Sequence, residues 1–309
     1  MGIRIIYGKP GSGKSQFCFS EIAKKLKDEN KIYMITPEQF SFTAEKKLME
    51  IATSNSILKA EVVTLSRMAY RVLNEVGGST KTNLSSCGKA MLIYAILNQN
   101  KKELKFLGKS DENIDLCMTA ITEFKQHGIN VEDLEKEIEK TQDTYLKTKL
   151  KDIALIYKEF EKKIEGKYIE ENDALNILAN KIKETNFLTN SIIYLDEFSG
   201  FTKQEYEVIK EFAKQAKQVN ITLCTDDLNI NTNPDNDIYY TNKETILKLW
   251  NLINENKLEL EKPVQLEKQY RFKKEELKHL SENINKPIST IYEKNVENIH
   301  LFLAQNPYS

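Results

Sequence analysis

A chain of 309 residues with a net charge of −1, 40% hydrophobic and 29% charged residues has the balance of a water-soluble globular protein with a sizeable core. That charge excludes a protein that coats nucleic acid by bulk positive charge, although a local basic groove stays open. The four cysteines form no C-x-x-C pair and no apolar run approaches the ~20 residues that span a bilayer, so the expectation is a reduced, cytoplasmic chain with no membrane partner.

The first apolar run, Ile3–Tyr7, reads as a strand buried on both faces, and it breaks at Gly8 and Lys9 too early for a signal peptide. Residues 8 to 15 then read Gly8-Lys9-Pro10-Gly11-Ser12-Gly13-Lys14-Ser15, a full match to G-x-x-x-x-G-K-[ST] between a strand and a helix. The glycines Gly8, Gly11 and Gly13 let the backbone curl, so that N–H groups, that of Ser12 among them, converge on one point. The following helix adds its positive end. Lys14 is the candidate for the β- and γ-phosphates of ATP, and the Ser15 hydroxyl for Mg²⁺. A glycine-rich turn without a ligand is the bland alternative.

Next come a helix over Ser15–Asp28, a strand over Ile32–Ile35, a helix over Ala44–Ala52 and a strand over Val62–Leu65. A further helix runs from near Ser66 to Val76 and is closed by Gly77-Gly78-Ser79. This alternation predicts right-handed βαβ units on a parallel sheet. From Thr80 to Asn186 only amphipathic helices are legible, among them Ile114–Phe124, with Gly128 as C-terminal cap, and Leu146–Ile164.

Strands resume at Ser191–Leu195 and Val219–Cys224, with a helix over Thr202–Ala216 between them. Helices at Asn242–Glu255 and Lys274–Ile284 follow. A last strand candidate, Ile299–Leu303, sits so close to Ser309 that a longer parent protein is expected. The strand at Ser191–Leu195 ends in Asp196-Glu197. A carboxylate there suits Mg²⁺ and an adjacent Glu suits a base for the attacking water, although two acids after a strand are also an ordinary solvated turn. Only four of the 45 basic residues are arginine, so Arg67 and Arg71, in the segment Thr64–Arg71, are informative. With Tyr70 they are read as a clamp on single-stranded nucleic acid, the alternative being an amphipathic helix with Tyr70 in the core.

The opening strand and glycine loop, the segments Ile35–Thr43 and Val63–Leu73, and the stretch Asp196–Glu205 occur in an order that resembles the N-terminal part of the AddB family. These are the B subunits of bacterial AddAB (RexAB-type) helicase–nucleases. The resemblance implies an α/β, RecA-like, superfamily 1 helicase-like P-loop NTPase domain over 1–79 and 187–309, with an all-helical insertion over 80–186. It implies ATP and Mg²⁺ as ligands, single-stranded DNA and an AddA-type subunit as partners, and scanning for a Chi-like signal in double-strand break repair. A nuclease and a 4Fe–4S cluster are expected only in an absent C-terminal part. Arginines supplied by a second domain are expected to be missing too, which predicts ATP binding with slow hydrolysis. Gln39, Ser41, Arg67 and Tyr70 carry over as DNA contacts. Ser41 and Tyr70 stand where the family is associated with Thr and Trp, and Glu197 where it often has Gly. Lys14 and Glu197 are read as the catalytic pair, Glu197 restoring a potential base at that position, and Thr225 falls where helicases place a γ-phosphate sensor. The other readings left open are a P-loop kinase or phosphotransferase acting on a small molecule and a structural scaffold whose P-loop only stabilises the fold.

Overall fold

The computed structural model describes residues 2–27, 30–51, 59–76, 82–107, 113–230, 237–284, 286 and 288–306, apart from the side chains of 171–173. The Gly77-Gly78-Ser79 helix stop and most of the Asn229–Asp237 loop lie outside the described residues.

The sheet strands are β1 (Gly2–Gly8), β2 (Lys31–Ile35), β3 (Ala60–Val63), β6 (Ser191–Leu195) and β7 (Gln218–Cys224), with the short β8 (Glu259–Leu260) and β9 (Val264–Gln265). They form a seven-stranded sheet in the order β3-β2-β6-β7-β1-β8, with β9 also paired to β1, and every pairing is parallel. Side chains alternate between the two faces, as a period of two requires. Ile3, Ile5, Tyr33, Ile35, Ile193, Leu195, Val219 and Ile221 pack on one face with α3 (Leu65–Val76), α8 (Glu171–Lys183), α9 (Lys203–Gln215) and α10 (Tyr240–Glu255). Ile6, Ile32, Met34, Ile192 and Tyr194 pack on the other with α1 (Lys14–Lys25) and α2 (Glu38–Ile51). Both faces are covered, which is why these strands read as continuous apolar runs rather than alternating ones.

A separate core is built from α4 (Ser86–Gln99), α5 (Asn113–Gln126) and α7 (Thr144–Ile164) around Ile93, Ile96, Ile121, Ile156 and Phe160. The helix α6 (Val131–Lys140) packs on α7 through Leu134 and Ile138. In contrast, α8, which the sequence places within the helical stretch, buries Ala174, Leu178, Ala179 and Ile182 in the sheet core.

Several elements differ from expectation, the two-residue strands β8 and β9 among them, where no strand was expected. Residues 80–186 are not purely helical, since β4 (Thr82–Asn83) and β5 (Tyr168–Ile169) form a two-residue parallel pair, too short to leave an alternating pattern. The helix α2 begins at Glu38 rather than Ala44, because Pro37 is pre-set to open a helix and Glu38 complements its N-terminus. Residues 299–303 form no strand. Leu301, Phe302 and Leu303 are almost fully exposed, and an apolar run becomes a strand only where a neighbouring ladder receives it. The last helix, α11 (Glu275–Asn283), precedes that segment.

The helical core meets the sheet through a buried ionic hub. Lys89 of α4 lies 2.8 Å from Glu170 and also donates to Thr122 at 2.8 Å. Lys125 of α5 pairs with the same carboxylate and with Glu161 at 2.8 Å, and all three of Lys89, Lys125 and Glu170 are buried. Both ammonium groups also approach the Phe160 ring, at 5.4 and 5.8 Å. Removing one charge from such a hub strands the others in a low-dielectric interior. Glu170→Gln is expected to cost about 3–5 kcal/mol in urea unfolding, and a loss below 1 kcal/mol would show that the hub is solvated.

Candidate functional site

Every long strand of a parallel sheet ends at the same edge, and there this chain collects its functional candidates. Beyond β1, the loop of residues 8–13 turns into α1. Gly8 has no room for a side chain, since a Cβ would sit 2.5 Å from both the Leu266 carbonyl oxygen and Ser12 Oγ. Gly13, the N-cap of α1, has φ +83° and supplies no side-chain cap, so the first N–H groups of α1 are left to the space in front of them. Lys14 Nζ donates to the carbonyls of Gly8 (3.0 Å) and Lys9 (3.3 Å), resting on its own loop.

A concavity of about 540 Å³ lies against this turn and is lined by Gly11, Gly13, Lys14 and Ser15. Asp196 and Glu197 line it from the end of β6, and Thr222 and Cys224 from β7. Gly8 and Ser12 lie beneath it, Ser12 being buried, and shape the loop rather than the surface.

Asp196 is 2% exposed and accepts a hydrogen bond from Thr222 Oγ1 at 2.5 Å. Burial pushes its carboxyl above the ordinary Asp range, against the pull of hydrogen bonds from Thr222 and Ser15, and the adjacent Glu197 adds to the rise. Glu197 is exposed and accepts from Ser15 Oγ at 2.9 Å. Its backbone is left-handed, with φ +65°, a conformation that glycine adopts without strain. The segment beyond is fixed by the Phe198, Phe201 and Tyr206 rings, at centroid spacings of 5.1 and 5.6 Å.

The donors fit a hard divalent cation. One hydroxyl and one carboxylate converge, as magnesium sites completed by phosphate oxygens and water require. Among the described residues, no group of three or more His, Cys, Asp or Glu is placed to hold a metal by itself.

Lys47, Asn242, Tyr270 and Arg271 are among the lining residues that were not singled out as site residues from the sequence. The strand β9 runs beside β1, and the chain after it crosses the glycine loop, with Tyr270 N–H donating to the Gly11 carbonyl at 2.9 Å and Gln269 to the Pro10 carbonyl at 2.6 Å. This crossing brings Tyr270 and Arg271 into the lining of the concavity. The scarcity of arginine was the available signal for Arg271. Lys47 reaches in from α2 and Asn242 from α10. Thr225 instead turns aside, donating to the Asp227 carbonyl at 2.9 Å.

The remaining candidates occupy the same edge on the β2–β3 side. Gln39 and Ser41 sit in the first turns of α2, where Ser41 Oγ donates to the Glu38 carbonyl at 2.8 Å. Arg67 and Tyr70 sit on α3, and both are exposed, so Tyr70 is not a core residue. Arg67 joins the two helices by an exposed ion pair with Glu45 at 3.1 Å.

The profile described as "ADDB, N-terminal" matches residues 5–281. The chain is 40% identical over 321 residues to the B subunit of the ATP-dependent helicase/deoxyribonuclease of Clostridium tetani, covering 100% of this chain and 28% of that protein. It is 37% identical over 317 residues to the protein of the same name from Clostridium acetobutylicum, covering 100% of this chain and 27% of that protein. With the protein of that name from Thermoanaerobacter sp. the identity is 38% over 317 residues, covering 100% of this chain and 28% of the relative. The chain thus spans little more than a quarter of the length of these relatives.

Two outcomes follow from the geometry. A buried Asp with a raised pKa favours folding while it is protonated and opposes it once pH rises through that pKa. The Asp196→Asn protein is therefore expected to melt above wild type at pH 7 and to converge with it below the ordinary Asp range. Equal melting temperatures at pH 7 would contradict this. Glu197→Gly, which relieves the left-handed backbone at the cost of one exposed hydrogen bond, is expected to change stability by no more than about 1 kcal/mol. Urea titration reads that out.

Proposed function

The chain belongs to the AddB N-terminal family, and on that premise we propose that it is the nucleotide-binding, strand-contacting N-terminal part of a B subunit of an ATP-dependent helicase–nuclease. The observation that carries this reading is the convergence of Lys14, Ser15, Asp196, Glu197 and Arg271 on one concavity at the free N-terminus of α1. In this reading the fold is a P-loop NTPase domain, and the loop N–H groups and Lys14 take the phosphates of ATP. Ser15 and Asp196 hold Mg²⁺, which neutralises charge developing on the phosphates. A bound cation also offsets the cost of keeping the buried Asp196 ionised.

Glu197 holds Ser15 in the present arrangement, and its exposed carboxylate is the candidate to orient an attacking water. Arg271 supplies a positive charge from this same chain, which supports a slow intrinsic hydrolysis rather than none. The Tyr270 ring, 64% exposed on the rim, offers a flat apolar face to the base.

Single-stranded DNA is proposed to run over the β2–β3 side of the edge, along Gln39, Ser41, Arg67 and Tyr70, and to be scanned there for a Chi-like signal during double-strand break repair. Arg67 leaves Glu45 to hold a phosphate, and an exposed pair of this kind costs at most about 1 kcal/mol to open. An AddA-type subunit is the proposed partner, in the cytoplasm. The nuclease centre and a 4Fe–4S cluster belong, in this reading, to the portion of the full-length protein beyond this chain.

The test is fluorescence anisotropy of a labelled single-stranded oligonucleotide and of a fluorescent ATP analogue, each titrated with the 309-residue chain at two salt concentrations. Lys14→Ala is expected to weaken nucleotide binding at least tenfold. Arg67→Ala is expected to weaken strand binding several-fold and to lower the salt slope by about 1. Nucleotide binding indifferent to Lys14→Ala would overturn the nucleotide reading, and strand binding indifferent to Arg67→Ala would overturn the DNA path.

A further inference from the structure

One wall of the glycine-loop concavity is built by β7 and α10, through Thr222, Cys224 and Asn242. In the sheet β7 lies between β1 and β6, with Cys224 beside Gly8 and Ile221 beside Leu195. This wall therefore faces the gap between the glycine loop and Asp196-Glu197. In the nucleotide reading, the last phosphorus of a triphosphate held by Lys14 and Ser15 belongs in that gap.

The hydroxyls of β7 and its exit are already engaged. Thr222 Oγ1 donates to Asp196 at 2.5 Å and Thr225 Oγ1 to the Asp227 carbonyl at 2.9 Å, while Cys224 offers only a weakly bonding thiol. Asn242 differs. It lines the concavity from the first turn of α10, yet its Oδ1 is buried and has no hydrogen-bond partner among the described residues. An orphaned amide oxygen disfavours the nucleotide-free fold and marks a place where a ligand or a water supplies the missing donor.

The backbone that carries Asn242 is firmly held. Its neighbour Lys243, 4% exposed, bonds to Asp226 at 3.3 Å, Asp227 at 3.1 Å and Asp237 at 2.8 Å. The Tyr239 N–H also donates to Asp237, at 2.8 Å. These bonds tie the start of α10 to the chain leaving β7, so Asn242 projects from a helix anchored to the strand that forms the wall.

Resting on the nucleotide reading above, we propose that Asn242 positions the water that attacks the terminal phosphate. The unpaired group is an acceptor, and phosphate oxygens are acceptors as well. Lys14 and Arg271, the cations of the lining, are drawn to the phosphates, so the donor that remains for Asn242 is a water. A turn of the side chain presents Oδ1 to that water, and Glu197 lines the same space. One water proton passes to the Glu197 carboxylate as the water oxygen bonds the γ-phosphorus and the bond from that phosphorus to the bridging oxygen of ADP breaks. The other proton stays on the phosphate product, hydrogen-bonded to Asn242. The amide oxygen takes up no proton, so Asn242 orients the water and Glu197 is the base.

The test compares Mg-ADP alone with Mg-ADP plus aluminium fluoride, whose planar group mimics the phosphoryl in transfer with a water opposite ADP. Both are titrated calorimetrically into the 309-residue chain and its variants. The wild type is expected to bind the fluoride complex at least tenfold more tightly than ADP. Asn242→Leu is expected to remove about tenfold of that gain and to leave ADP affinity unchanged. The melting temperature of the nucleotide-free variant is expected to hold or rise, because the orphaned oxygen is gone. Asn242→Gln, which restores an amide oxygen, is expected to recover part of the gain, and Asn242→Ala serves if the leucine variant fails to fold.

An equal loss for ADP and for the fluoride complex would place Asn242 at the diphosphate and overturn the proposal. A gain unmoved by the leucine and alanine variants would overturn it too, as would a wild type that gains nothing from fluoride. In those cases ADP binding that Lys14→Ala still weakens leaves the nucleotide reading standing. ADP binding indifferent to Lys14→Ala would remove that reading and the role of Asn242 together.

Discussion

The parallel register of β1, β6 and β7 is the constraint from which the rest of the molecule follows. Gly8 is paired with Cys224 and Leu195 with Ile221, so the chain leaves all three strands within one narrow band at the sheet edge. Parallel ladders admit no short hairpins, so each strand must be followed by a crossover that starts at this edge. Most of the candidate residues read from the sequence lie in the first few positions of such a crossover. The glycine loop follows β1, Gln39 and Ser41 follow β2, Ser66 and Arg67 follow β3, and Asp196 and Glu197 follow β6. A slip of one residue in this ladder would turn Asp196 to the opposite face of the sheet and separate it from Thr222.

Holding charge at that edge has consequences for the interior. Under α1 the sheet face is not purely apolar. Arg4 donates to Asn220 at 2.7 Å and pairs with Glu21 of α1, and the Tyr194 hydroxyl donates to the same carboxylate at 3.1 Å. Three strands and the helix that follows the glycine loop are thereby pinned by directional bonds, whereas apolar contact alone would let α1 slide. The position of Lys14 and Ser15, at the head of α1, depends on that pinning. The site itself runs the other way, because a buried Asp196 and a left-handed Glu197 both oppose folding locally. Strain concentrated at one edge, above a sheet packed on both faces, is the distribution expected where the unfavourable geometry is used.

Most of the sheet was legible because a doubly covered parallel strand writes a short continuous apolar run into the sequence, as in Ile192-Ile193-Tyr194-Leu195. The glycine loop was legible because its geometry tolerates so few residues. What could not be read depends on contacts distant in sequence. Nothing local distinguishes α8 from the helices before it, and only the complementary faces of α3 and α9 draw it into the sheet core. The two-residue β4–β5 pair carries no periodicity at all. Residues 299–303 carry a strand-like pattern without a ladder, which shows that such a pattern marks apolar surface and not secondary structure. Arg271 stood out only as one of four arginines and could not be placed at the site, because 256 positions separate it from Ser15 and only β9 pairing with β1 brings them to one concavity.

The same topology places the glycine-loop concavity and a second cleft, of about 460 Å³ between the sheet layer and the helical core, on one continuous piece of chain. Between Asp196, in the first concavity, and Gln204, in the second, lie the Phe198–Phe201 pair and the Thr202 cap, with Tyr206 closing the aromatic cluster just beyond. A segment this short, packed on the sheet core at its middle and capped at its end, transmits displacement poorly by bending. It transmits better by shifting as a unit. On the proposed reading, ligation of a cation by Asp196 would act at one end of that unit, and the second cleft, lined by Gln204, lies at the other. Coupling between the two clefts therefore needs no long pathway, only a shift of a single buttressed turn.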